Sequence, residues 1–149
     1  MVMSPSRPSP PGRSGTRASI GRVLVVDDDD ALRECLRIVL ENAGYRVVCA
    51  GDGVSALALM HRETIGVVVL DLRLPQMDGY ELRRRQLLEP ALAKIPIVVL
   101  TGDTHASLGD DVPVLWKPFE IADLLKVVWA CCLRGEAAEA STPDVRKKR

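Results

Sequence analysis

The chain has 149 residues, 47% of them hydrophobic, enough for the core of one α/β domain but not comfortably for two. Twenty basic residues balance twenty acidic ones, yet residues 1–22 hold four arginines and no acid, 134–149 five bases and three acids, and 23–133 eleven bases against seventeen acids, a net −6 that argues against a nucleic-acid surface. No apolar run approaches bilayer length, no signal-peptide core opens the chain, and Cys35, Cys49, Cys131 and Cys132 lack C-x-x-C spacing; these features predict a cytoplasmic protein whose thiols pack in the core rather than bind zinc or pair.

Residues 1–20 are rich in Pro, Ser, Gly and Arg and carry too little apolar surface to offset their ordering entropy, so they read as a disordered tail. "RVLVV" (22–26) reads as a strand. In the following "DDDDALRECLRIVLENAG", Leu32, Cys35, Leu36, Val39, Leu40 and Ala43 recur at helical spacing, with an Asp as N-cap and Gly44 as stop. Asp29 and Asp30 belong to that helix start. "RVVCA" (46–50) is a second strand, and a helix runs from Asp52-Gly53 to about His61.

The third strand, Val67-Val68-Val69-Leu70, ends on a carboxylate, Asp71, with the turn "PQMDG" just beyond. An acid at the end of a strand covered on both faces is costly to desolvate unless something meets its charge. Asp78-Gly79 starts a helix over 80–88. "IPIVVLT" (95–101) and "VPVLW" (112–116) are the last two strands, and "IADLLKVVWACCL" (121–133) is the closing helix. His61 and His105 lack ligand-like companions and read as surface residues, while Met77, Phe119 and Trp129 read as packing. From 135 to 149 a second disordered tail is expected, its "RKKR" end solvated.

Strands alternating with helices imply a parallel sheet covered on both faces, with ligands bound outside the strands' carboxyl ends. Four of the five strands end there in a polar group: Asp27 and Asp28, Asp71, Thr101 and Lys117. Clustered carboxylates attract a hard divalent cation such as Mg²⁺, and a hydroxyl and a lysine suit phosphoryl oxygens. A carboxylate beside such a cation is a candidate nucleophile toward phosphorus.

With these residues in hand, "VLVVDDDDALR", "VVVLDLRLPQMDGYEL", "IPIVVLTGD" and "VLWKPFEIADLL" resemble, in order, the acidic pair, phosphoacceptor loop, hydroxyl strand and Lys-Pro segment of response-regulator receiver domains. The resemblance covers roughly 21–133 and implies a flavodoxin-like doubly wound sheet of order 2-1-3-4-5 and a receiver at 21–134. It implies Asp71 as phosphoacceptor, with Thr101 and Lys117 meeting the phosphoryl group. Asp27, Asp28, Asp71 and the Arg73 carbonyl would hold Mg²⁺. The side chains of Arg73 and Asp103, each two residues past a site residue, would flank the phosphoryl group and modulate its lifetime, with simple solvation of both as the alternative. Pro118 would follow a bond that is often cis in the family. A sensor histidine kinase or phosphotransfer protein would be the partner, and the protein would catalyse only its own phosphorylation and dephosphorylation.

Two departures stand out. Lys117 lies only 16 positions after Thr101, which predicts a short or irregular fourth helix like that of hybrid-kinase receivers. At the usual aromatic switch position stands Val114. Too few residues follow Leu133 for an output domain, so a single-domain receiver signalling by protein–protein contact is expected. Asp28-x-Asp30 is also compatible with a haloacid-dehalogenase-type phosphatase, but "KPFEIADLL" lacks the acidic motif that family needs after its lysine. A receiver-like interaction module that is never phosphorylated is the third possibility.

Overall fold

Every strand of the single sheet is parallel to its neighbours, and their order is β2-β1-β3-β4-β5. The computed structural model describes residues 21–141, leaving aside the side chains of 135–141. In chain order the elements are β1 (Arg22–Val26), α1 (Asp30–Asn42), β2 (Val47–Ala50), α2 (Gly53–Arg62), β3 (Ile65–Asp71), α3 (Gly79–Leu87), α4 (Pro90–Ala93), β4 (Ile97–Thr101), β5 (Val114–Trp116) and α5 (Ile121–Ser141).

The central strands are apolar on both faces because both are covered. Leu24 and Val26 of β1, Val68 and Leu70 of β3, and Ile97 and Val99 of β4 pack with Ala56 and Met60 of α2, Leu82 of α3 and Leu92 of α4. The alternate residues Val23, Val25, Val67, Val69, Val98 and Leu100 pack with Leu36 and Leu40 of α1 and with Leu124, Val128, Cys131 and Cys132 of α5. Truncating a fully buried leucine such as Leu36 or Leu124 to alanine costs about 2–5 kcal/mol.

Helices begin at the rim where the strands end, and each of the first three is capped there by an aspartate. Asp29 Oδ1 accepts from the Ala31 and Leu32 N–H groups at 3.0 and 3.1 Å, Asp52 Oδ1 from Ser55 N–H at 2.7 Å, and Asp78 Oδ1 from Glu81 N–H at 2.9 Å. Such caps contribute about 1 kcal/mol each. Gly44, at φ 102°, turns the chain out of α1 in the left-handed conformation that glycine adopts at least cost.

Several expectations need correction. The β4–β5 crossover, expected to hold a short or irregular fourth helix, is irregular: turns and bends fill residues 102–113, with no helix there among the described residues, and a short helix not expected from the sequence, α4, precedes β4. α5 continues through Ser141, past the expected start of the tail at 135, because Glu136, Ala137, Ala138, Glu139 and Ala140 are strong helix formers. Residues 1–20 and 142–149, expected to be tails, lie outside the described residues. β5 is three residues, not five. Cys35 is exposed on α1 rather than packed, whereas Cys131 and Cys132 are buried and Cys49 is half-buried. His61 is exposed as expected but has a partner, Glu89, with Nε2 and Oε1 2.6 Å apart.

Candidate functional site

Strand register assembles the site. Val26 pairs with Leu70, so the next residues, Asp27 and Asp71, leave adjacent strands side by side. Asp71 pairs with Leu100, which brings Thr101 next in line, and Thr101 pairs with Trp116, which brings Lys117. The Lys117 N–H continues the ladder to the Thr101 carbonyl at 2.8 Å. β1 and β3 are neighbours while β2 lies outside β1, so Asp27 and Asp71 flank the point where the winding of the sheet reverses, the usual ligand crevice of such folds.

Asp28, Asp71, Arg73, Leu74, Pro75, Thr101, Gly102 and Lys117 line one open cleft, with Asp27 buried beside it at 1% exposure. Lys117 Nζ lies 3.3 Å from Asp71 Oδ2 and 3.5 Å from Asp27 Oδ2, so a single ammonium is shared between two enclosed carboxylates. Asp71 Oδ1 accepts from the Arg73 N–H at 3.0 Å, and Asp27 Oδ1 from the Asp29 N–H at 2.9 Å. Asp27 Oδ2 is buried without a hydrogen bond among the described residues. Burial therefore pushes the Asp27 carboxyl above its ordinary value; the Asp29 N–H opposes the rise, the Asp71 charge reinforces it, and Lys117 opposes it.

Carboxylate oxygens of Asp27, Asp28 and Asp71 all come within 4.8 Å of one another. A hard cation with oxygen ligands fits this set, and Asp27 Oδ2, buried with no hydrogen bond among the described residues and only a shared ammonium 3.5 Å away, is the kind of acceptor that such an ion, or its water, satisfies. Thr101 is 5% exposed, and its Oγ1 accepts from the Asp103 N–H at 3.0 Å, which leaves the hydroxyl hydrogen to donate. The Lys117–Pro118 bond is cis.

All the residues singled out at the strand ends thus converge. The flanking pair is less closely joined. Arg73 and Asp103 line a neighbouring depression with Tyr80, but the Asp103 carboxylate accepts from the His105 N–H at 2.9 Å and forms no ion pair with Arg73 among the described residues. Arg33, which reaches back to the acidic loop, was not identified by motif or rim position; its helical spacing from Asp30 was the available signal.

The description "Response regulator receiver domain" matches residues 23–128. The chain belongs to that family. The receiver is 38% identical over 126 residues to "Response regulator MprA" of Mycobacterium leprae, covering 80% of this chain and 54% of that protein. It is 37% identical over 132 residues to "Probable transcriptional regulator ycf27" of Guillardia theta, covering 81% and 49%. The chain spans about half the length of these curated relatives. Among solved structures it resembles the chemotaxis protein CheY4 of Vibrio cholerae, with TM-score 0.68 and 31% identity over 74% of this chain and 97% of that one. It also resembles the receiver domain of a Pseudomonas aeruginosa sensor histidine kinase, with TM-score 0.69 and 26% identity over 75% and 97%. That structure holds a magnesium ion coordinated in its active-site cleft. Among the described residues, no helix of this receiver is long and apolar enough to cross a membrane.

Proposed function

We propose that this receiver is a cytoplasmic phosphoacceptor in a two-component phosphorelay, signalling by protein–protein contact. The observation that carries the proposal is Asp71, enclosed at a strand end with Lys117 3.3 Å from its carboxylate and the Asp27–Asp28 pair alongside. An Asp71 carboxylate oxygen attacks phosphorus as the phosphorus–nitrogen bond of a kinase or phosphotransfer phosphohistidine breaks, and the departing imidazole nitrogen takes up a proton. Lys117 pairs with the phosphoryl charge and Thr101 donates its hydroxyl hydrogen to a phosphoryl oxygen. Asp27, Asp28, Asp71 and the Arg73 carbonyl would hold Mg²⁺, which supplies charge neutralisation at the phosphoryl oxygens. Arg73, which lines the cleft, and Asp103, in the depression beside it, set how long the acyl phosphate survives by screening its oxygens or orienting water.

The test is incubation with acetyl phosphate or beryllofluoride, with and without Mg²⁺, and mapping of the adduct by mass spectrometry. An Mg²⁺-dependent adduct at Asp71, lost in Asp71→Asn, is expected, with decay altered severalfold in Arg73→Ala. Labelling at Asp28 instead would overturn the assignment in favour of haloacid-dehalogenase chemistry. Absence of any adduct would favour an interaction module that is never phosphorylated. A decay rate unchanged in Arg73→Ala would remove only the role given to Arg73.

A further inference from the structure

The acidic loop after β1 places four carboxylates in succession, Asp27 to Asp30, and like charges this close push a loop apart unless something ties it down. The tie comes from α1. Arg33 folds back from the first turn, its Nη1 donating to the Asp27 carbonyl at 2.6 Å and its Nη2 to the Asp30 carboxylate. The guanidinium also lies over the backbone beyond β2, where a Cβ on Gly51 would meet Nη1 at 3.3 Å. One planar fork thus ties the end of β1 to the start of α1 and packs beside the loop after β2. Asp28 lies between the two tethered residues, and no hydrogen bond to its own carboxylate is found among the described residues. Its direction is therefore set through the backbone on either side.

We infer that Arg33 is a positioning residue for the cation site, holding Asp27 and Asp28 in ligating geometry through the Asp27 carbonyl and Asp30. This rests on the receiver reading, because it presupposes that Asp28 takes Mg²⁺. The role opposes simple electrostatics. Removing a cation next to an acidic cleft should by charge alone tighten divalent-ion binding, whereas removing a tether should weaken it.

The experiment is calorimetric titration of the unphosphorylated protein with Mg²⁺, repeated by Mn²⁺ broadening of the Asp28 amide resonance, for the parent, Arg33→Lys, Arg33→Met and Arg37→Met. Arg37 pairs with Glu34 and Glu41 on the outer face of α1, so Arg37→Met removes an equal charge without touching the loop. Metal-free thermal melts verify that each variant is folded, and Arg33→Lys, which keeps the charge but not the fork, is the variant best able to remain so. The expected result is Mg²⁺ affinity lowered about tenfold in both Arg33 variants, the scale typical of lost outer-shell support, and unchanged or slightly raised in Arg37→Met. Parent affinity in Arg33→Lys, or tighter binding in Arg33→Met, would overturn the positioning role. Failure of the parent to bind Mg²⁺, or binding insensitive to Asp28→Asn, is a different result and overturns the receiver reading on which the role rests.

Discussion

Asp27 carries an electrostatic conflict that no bond among the described residues removes. Its Oδ1 is satisfied by the Asp29 N–H, but Oδ2 is buried and, among the described residues, has only the Lys117 ammonium at 3.5 Å, which it shares with Asp71. Burial first, and the Asp71 charge with it, raise the Asp27 pKa from the ordinary 3.8 despite the opposing Asp29 N–H and Lys117. The folded protein therefore holds this proton more tightly than the unfolded chain does, so stability falls as pH rises from 3.8 through the raised value, and the whole loss is present above it. Asn at this position keeps an acceptor for the Asp29 N–H and removes the charge. Asp27→Asn is expected to raise the melting temperature of metal-free protein at pH 7, with the gain fading as pH falls through that window and absent below 3.8. A variant that melts at or below the parent at pH 7 would show that the Lys117 attraction outweighs desolvation. Under the receiver reading, the same excess of negative charge is what a bound divalent cation would relieve.

The elements that frame the cleft meet at glycine. At the N-terminus of α2, a Cβ on Gly53 would lie 2.3 Å from the Met77 carbonyl oxygen and 2.9 Å from Met77 Cβ, in the loop joining β3 to α3. Backbone cannot yield there as a side-chain tip can, so Gly53→Ala is expected to destabilise by about 1–3 kcal/mol in urea unfolding, as overpacking does. Gly102, on the cleft wall, has nothing among the described residues within 4 Å of the equivalent point, so Gly102→Ala should stay within about 0.5 kcal/mol of the parent. Equal effects at the two positions would contradict this packing account. The contrast also marks what is legible in sequence. Alternating apolar runs, aspartate caps and strand-end polar groups act locally or through parallel register, so β1 to β4, the starts of α1 to α3 and the convergence of Asp27, Asp28, Asp71, Thr101 and Lys117 could all be read. The clash at Gly53 and the reach of Arg33 to the Asp27 carbonyl depend on how separate elements approach, which no periodicity encodes. α5 runs past the 121–133 expected from its apolar pattern because residues 136–140 carry high helix propensity without an apolar face to mark them.

Across the whole molecule, order is unevenly distributed in a way that bears on output. β1, β3 and β4 are buried on both faces between two apolar layers, whereas residues 102–113 are turns, anchored in the core chiefly by Ala106 and Val112 with Leu108 half-buried. Among the described residues their internal bonds are few and local: His105 N–H to Asp103 Oδ1, Ala106 N–H to the Asp103 carbonyl, Val112 N–H to the Gly109 carbonyl, and Gly109 N–H to Ser107 Oγ. A segment built this way opens at low free energy, while the sheet opens only with global unfolding. Val114, which begins β5 opposite Val99, has no ring to swing inward, and its β-branched side chain is stiff about its first torsion. The segment hangs from Thr101 at one end and Lys117 at the other, the two groups assigned to the phosphoryl oxygens. Phosphorylation is therefore expected to order the crossover by drawing both ends toward Asp71, without an aromatic rotamer change. Trp116, 47% exposed and adjacent to Lys117, should report the movement in its fluorescence. Hydrogen exchange with and without beryllofluoride and Mg²⁺ should show slowed exchange chiefly across 101–117, and Val114→Tyr should leave that response intact. If protection there stays constant while α1 changes, activation is transmitted by the acidic loop and its Arg33 tether, and the crossover is not the output element.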